Sequence, residues 1–144
     1  NKNTGEVYKT AKSVGDYDKE LHDFRVTTVN ENFENIEYVY QSIRRYLKDA
    51  AVIFTLSPVP LKATFRDMSC SSANSISKAI LRVALDTLFN KYGEDKQLHY
   101  FPSYELVLDF LPNPFGPDRR YIIADTVNFV MTLFANHYIV HEKC

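Results

Sequence analysis

The feature that most limits what this chain can fold into is the run Ala51-Val52-Ile53-Phe54-Thr55-Leu56, stopped by Ser57-Pro58 and Pro60. It is apolar and β-branched without alternation. A half-exposed strand alternates, so an unbroken run calls for cover on both faces, which in a sheet means parallel neighbours. Parallel strands cannot be joined by a tight turn and need a crossover, usually a helix. The prolines end the strand because they carry no amide hydrogen for the ladder. One short segment therefore sets the fold class: α/β, with helices on either side of a parallel sheet.

The flanking sequence supplies those helices. Thr28 and Glu31 have the spacing of a capping box, in which the hydroxyl serves an early amide and the carboxylate reaches back. Behind them Phe33, Ile36, Tyr40, Ile43 and Leu47 recur at steps of three and four, one apolar helical face. The Ser-rich stretch Ser69 to Ser77 offers caps for a second helix. Its predicted face is Ile76, Ala79, Ile80, Val83, Leu88 and Tyr92, closed by Gly93. His99-Tyr100-Phe101-Pro102 reads as a second strand or its exit. Leu106 to Leu111 either extends it or forms a helical turn, and the run is too short for periodicity to choose. After the breaker Pro112 to Pro117, Asp125 is placed to cap a last helix holding Val127, Val130, Met131 and Phe134.

The order helix, strand, helix, strand, helix fills residues 28–144. Residues 1–27 read as mostly loop, with turn signals at Asn3-Thr4-Gly5 and Val14-Gly15-Asp16 and a short hairpin around Gly5. Two core strands make an incomplete doubly wound sheet. Either another chain completes it, as in a homo-oligomer, or this is the C-terminal part of a larger domain whose N-terminal half lies elsewhere.

Bulk properties exclude several function classes. A length of 144 residues suits one domain. The net charge of −1 gives no electrostatic case for nucleic acid or an anionic membrane surface. No apolar run approaches the length of a membrane span. Cys70 and Cys144 lack metal spacing; they could pair, but free thiols in a reducing cytoplasm are the plainer reading, and no apolar N-terminal segment resembles a secretion signal. No glycine-rich phosphate loop and no paired His/Cys spacing calls for a cofactor or a metal.

Candidate site residues follow from the strands. Ligands of parallel α/β sheets bind beyond the carboxyl ends of the strands. Ser57 and Pro58 follow the first strand, and Ser103, Tyr104 and Glu105 follow the second, so these five are the expected cleft lining. Neither serine has the glycine surround of a strained nucleophile elbow. Backbone capping is the plainer use of both hydroxyls. Lys78 and Arg82, four apart, either form a solvated face, hold the loop after the first strand, or meet an anion. Glu105 with Arg119 or Arg120 is a candidate structural ion pair. Tyr38, Tyr40 and Tyr46 pack in the core or stack on sugar. His22 beside Asp23 reads as an exposed loop pair, His99 as a strand-edge residue, and His137 and His141 as solvent-facing.

Three segments in order carry a resemblance: Thr55-Leu56-Ser57-Pro58-Val59-Pro60-Leu61, then Asn74 with Ser77-Lys78 and Leu81-Arg82, then Tyr100-Phe101-Pro102-Ser103-Tyr104-Glu105. Together they resemble the C-terminal half of a GSCFA-family domain, which is similar to the SGNH (GDSL-like) hydrolases. Gly5-Glu6-Val7-Tyr8 and His22-Asp23-Phe24-Arg25 fit more loosely. The resemblance implies a flavodoxin-like three-layer α/β/α fold, of which this chain holds a part with a short parallel sheet. It implies acyl-ester hydrolysis or acyl transfer on a small ester or carbohydrate. It also implies a Ser nucleophile from an N-terminal Gly-Ser-Cys-Phe-Ala block and an Asp and a His three apart near the end. This chain contains no such block. Asp125 falls on the Asp position, and Asn128 stands where the His is expected. Asn has no titratable proton near neutral pH, so the chain reads as inactive by itself. The alternative is a non-catalytic binding or assembly module that uses an exposed sheet edge.

Overall fold

In the computed structural model, which describes residues 1–8 and 17–139, the apolar run forms β1 (Val52–Thr55). Its partner is β2 (Leu98–Phe101), and the two are parallel. The turn expected at Val14-Gly15-Asp16 and the residues His141 and Cys144 lie outside the described chain. The register pairs Val52 with Leu98, Ile53 with His99, Phe54 with Tyr100, and Thr55 with Phe101. Alternation along each strand then sorts the side chains onto two faces.

One face meets α1 (Val29–Tyr46) and α2 (Cys70–Lys91). Tyr40, Val52, Leu88 and Leu98 are buried together there, with Phe33, Ile36, Ile43, Phe54 and Phe89 packed around them. The other face meets α4 (Ala124–Tyr138) and the segment after β2. That segment is one turn of helix, α3 (Ser103–Glu105), running into a π-helical turn over Leu106–Phe110. Phe101, Val107 and Val130 are buried here, packed by Ile53, Leu106, Phe134 and Tyr138. Helices lie on both faces of a short parallel sheet, so the fold is mixed α/β with the three-layer plan of a partial α/β/α sandwich. β1 and β2 are the only strands among the described residues.

The helix starts follow local chemistry. Thr28 Oγ1 accepts the Glu31 amide at 3.2 Å while Glu31 Oε2 accepts the Thr28 amide at 2.8 Å, a complete capping box. Of the face behind it, Leu47 falls on the C-cap and is exposed, while Tyr40 is buried. Tyr38 and Tyr46 point to solvent. Ser69 caps α2 by accepting the Ser72 amide at 3.0 Å.

Three local expectations need correction. The buried stripe of α2 is Ala73, Ala84, Leu85 and Leu88, while Ile76 is 37% and Val83 50% exposed. Two of these four are alanines, on a helix that packs against α1. Second, α2 is capped by Tyr92, and Gly93 is not in a left-handed conformation. Gly93 is a matter of space: a Cβ there would lie 3.1 Å from the Phe89 carbonyl oxygen. Third, Gly5 does take positive φ (69°), but in a turn closed by its amide on the Asn1 carbonyl, with no strand beside it among the described residues.

The amino ends of both strands are held by Asp95, in the loop before β2. Asp95 Oδ2 accepts from Tyr40 Oη and from Arg44 Nε, each at 2.6 Å, and Oδ1 accepts the Gln97 amide at 2.9 Å. Arg44 also donates through Nη1 to the carbonyl of Ala50, just before β1, at 2.6 Å. The Tyr40 hydroxyl, the Gln97 amide and the Arg44 guanidinium together hold the Asp95 carboxyl down at about 2. A carboxyl with a depressed folded pKa stabilises the fold above its ordinary value and loses that contribution as pH falls through the folded value. Asp95→Asn should therefore be less stable than wild type at pH 7 in urea unfolding. The gap should close as pH drops from about 4 to about 2.

Candidate functional site

The carboxyl ends of β1 and β2 emerge side by side, because Thr55 is paired with Phe101. Ser57 lies two residues beyond the first and Ser103 two beyond the second. Three short contacts tie the exits together. Thr55 Oγ1 donates to the Phe101 carbonyl at 2.8 Å, Ser103 Oγ donates to the Leu56 carbonyl at 3.0 Å, and the two hydroxyl oxygens lie 2.6 Å apart. Two hydroxyl protons serve three contacts, so both are committed to closing the strand ends. Ser57 is also engaged: its Oγ accepts the Val59 amide at 3.2 Å, a local turn bond.

The helix α2 buttresses both exits. Lys78 Nζ donates to the Ser57 carbonyl at 2.6 Å, and burial pushes the Lys78 ammonium pKa down. One turn on, Arg82 Nε donates to Glu105 Oε1 at 3.1 Å. The Arg82 guanidinium lies over the Tyr100 ring, 4.7 Å from its centroid. Tyr100 Oη donates to the same carboxylate, 3.0 and 2.9 Å from its two oxygens. Burial, then the Glu105 carboxylate, push the Tyr100 hydroxyl pKa well above its ordinary value. Lys78 and Arg82 thus hold the loops that follow the strands. The partner of Glu105 is Arg82 rather than Arg119 or Arg120, because those arginines lie on a separate turn. In it the Arg120 amide is bound by Asp118 Oδ1 at 3.0 Å, and the Gly116 amide closes on the Tyr121 carbonyl at 2.8 Å. Pro58 and Tyr104 are half-buried beside these groups in sequence. Further out, Asn74 Oδ1 accepts the Leu61 amide at 3.0 Å and fixes the loop after Pro60 onto α2.

Asp125 and Asn128 stand apart from this cluster. The chain is still extended at Ile122, which bridges Phe115, and the N-cap of α4 falls on Ile123 without a side-chain bond. Asp125 therefore sits inside the first turn and does not cap the helix, although a carboxylate there suits the helix dipole. Thr126 and Val130 form the buried side of α4, and Asp125 and Asn128 are exposed on the other. Neither side chain makes a hydrogen bond or ion pair with a described residue. The Asn128 carbonyl accepts from Thr132 Oγ1 at 2.8 Å, an ordinary helix contact.

The described histidines lie elsewhere. His99 packs its ring on Tyr138 at 5.7 Å, and His137 is exposed beside the same tyrosine. His22 is not the exposed loop residue that its neighbours suggest; it is 9% exposed. The tight turn from Asp18 to His22 folds it inward, with the His22 amide on the Asp18 carbonyl at 2.7 Å. The latch role of Thr55 was hidden in the sequence, because a threonine inside an apolar run reads as a β-former. Among the described residues no cluster of His, Cys, Asp or Glu is arranged to hold a metal, and no helix is long and apolar enough to cross a membrane.

Compared with known families, the chain matches the GSCFA family across residues 1–134. No curated protein and no solved structure matches it. The matched span contains both strands, both strand exits, the Lys78 and Arg82 buttress, and most of α4. With so much of its length matched, and with its strand-exit segments folded against one another, the chain belongs to the GSCFA family.

Proposed function

We propose that this chain is the C-terminal part of a GSCFA domain related to the SGNH-like hydrolases, and that by itself it does not turn over esters. On this reading, an intact relative would cleave or transfer an acyl group on a small ester or carbohydrate. Such chemistry needs a hydroxyl made nucleophilic by a base that takes its proton. Histidine fits that task because its pKa lies near the working pH.

The observation that carries the proposal is how the strand-end hydroxyls are used. The Ser103 and Thr55 hydroxyls, 2.6 Å apart, share their two protons between each other and two backbone carbonyls, and Ser57 takes a backbone amide. No described histidine hydrogen-bonds to any of them. The exposed pair Asp125 and Asn128 supports the same reading, since an amide at the second position cannot relay a proton. The sequence also lacks the Gly-Ser-Cys-Phe-Ala block. Lys78, Arg82 and Glu105 then serve as scaffolding for the loops around a site.

A second reading has its own observation. β1 and β2 form a sheet with no further strand on either side among the described residues. Unpaired edges are templates for another strand. An assembly module would use them to add a second copy or an N-terminal half. Size-exclusion chromatography separates the readings: a concentration-dependent dimer favours edge pairing, and a strict monomer counts against it.

Hydrolysis of p-nitrophenyl acetate tests the first reading. Wild type and Asn128→His should both match the buffer rate, with thermal unfolding confirming that both are folded. Turnover by the wild type that disappears in Asp125→Ala would overturn the proposal. Ser103→Ala should lower unfolding free energy by about 1–2 kcal/mol, because it leaves the Leu56 carbonyl and the Thr55 hydroxyl short of a partner. Unchanged stability in that variant would argue against a structural role for the hydroxyl.

A further inference from the structure

The N-terminal segment folds over the loop that follows β1 and over the first half of α2, leaving a cleft of about 720 Å³. The cleft includes none of Ser57, Lys78, Ser103, Glu105, Asp125 or Asn128, so it is separate from the strand-end cluster and does not rest on the hydrolase reading. Aromatic rings form its walls. Tyr17 lies against Phe65 with centroids 4.6 Å apart, and Phe24 meets Phe65 at 5.6 Å. Tyr17 also covers His22 at 5.9 Å, and Tyr8 meets the same imidazole edge-on at 5.4 Å.

Among the polar groups of this lining, two donors carry the argument. His22 is 9% exposed, and its Nδ1 accepts the Asp18 amide at 3.0 Å. The neutral ring therefore carries its proton on Nε2. That N–H has no hydrogen-bond acceptor among the described residues, although it belongs to a ring that lines the cleft. It is not sealed from solvent, so an acceptor in the cleft can reach it. The second group is Arg66, half-buried in the same lining and in no ion pair with a described residue. The other arginine of the cleft, Arg25, is already bound to Glu31 at 2.6 Å. The acids of the lining do not answer these donors. Glu6 and Asp23 are both exposed, and Asp23 Oδ1 accepts the Phe24 amide at 3.0 Å.

The geometry points to a binding site for a small aromatic carboxylate, its flat body among Tyr17, Phe24 and Phe65 and its anionic head held by Arg66 and the His22 Nε2–H. The chemistry is complementary on each count. Flat rings stack on aromatic walls. A guanidinium engages a carboxylate through two parallel bonds that a neutral group cannot reproduce. Most ligand sites have this composition, an apolar cleft with a few converging polar groups.

The test uses the full chain and 2-naphthoate, with 2-naphthylmethanol as the neutral control. Calorimetric titration should show saturable one-to-one binding of the acid, at least about tenfold tighter than the alcohol. The His22 imidazole resonances should move with saturation. Arg66→Gln, with circular dichroism like wild type, should weaken the acid about tenfold and leave the alcohol unchanged. Phe65→Ala should weaken both. The proposal is overturned by no saturable binding, by equal affinity for acid and alcohol, or by His22 signals that stay still at saturation. If Arg66→Gln fails to fold, the comparison of acid with alcohol in the wild type still decides.

Discussion

The architecture hangs on one carboxylate. Asp95 gathers a phenol and a guanidinium from α1, and the same guanidinium reaches the backbone just before β1. The backbone around Asp95 does the matching work on the other strand. The Asp95 carbonyl accepts the Leu98 amide at 3.1 Å, and the Gln97 carbonyl accepts the Val52 amide at 2.7 Å. One anion therefore sets where both strands begin. Parallel strands of equal length that start together also end together. The pairing of Thr55 with Phe101, and so the meeting of the two exit loops, is settled at the opposite end of the sheet.

The helix between the strands completes that arrangement. Its buried stripe is Ala73, Ala84, Leu85 and Leu88, and it packs against α1. Long side chains on its flank reach the loops beyond both strands. Lys78 meets the carbonyl after β1, and Arg82 meets the carboxylate after β2. A half-buried ammonium on a carbonyl and a guanidinium stacked on a phenol are geometric constraints more than sources of net stability, since desolvation offsets much of each attraction.

Much of the frame was legible in the sequence because it depends on local rules. The unbroken run at Val52 to Thr55 foretold a parallel strand, and the spacing of Thr28 and Glu31 foretold the start of α1. The readings that failed depended on neighbours far along the chain. Ranking by side-chain size favoured Ile76 and Val83 for the α2 face, whereas the buried stripe includes Ala73 and Ala84 beside Leu85 and Leu88. Asp125 is not the cap because the helix starts earlier, with Ile123 as its N-cap directly after the bridge between Phe115 and Ile122. Leu106–Phe110 offered too few residues for a period, and the chain took a π-helical turn that buries Val107 and leaves Phe110 in solvent. The cleft beside His22 was out of reach for the same reason: Phe65 and Tyr17 meet across nearly fifty residues only after the N-terminal segment folds back. At the candidate site the segments around Ser57 and Ser103 were readable, but the purpose of their hydroxyls was not.

Ser103 belongs to a residue type that serves folding and chemistry alike. Its hydroxyl rivets the end of one strand to the backbone leaving the other. Evolution would hold that oxygen in place through any gain or loss of enzymatic power. An invariant serine at this position, seen across many relatives, would carry no information about which of them are alive as catalysts.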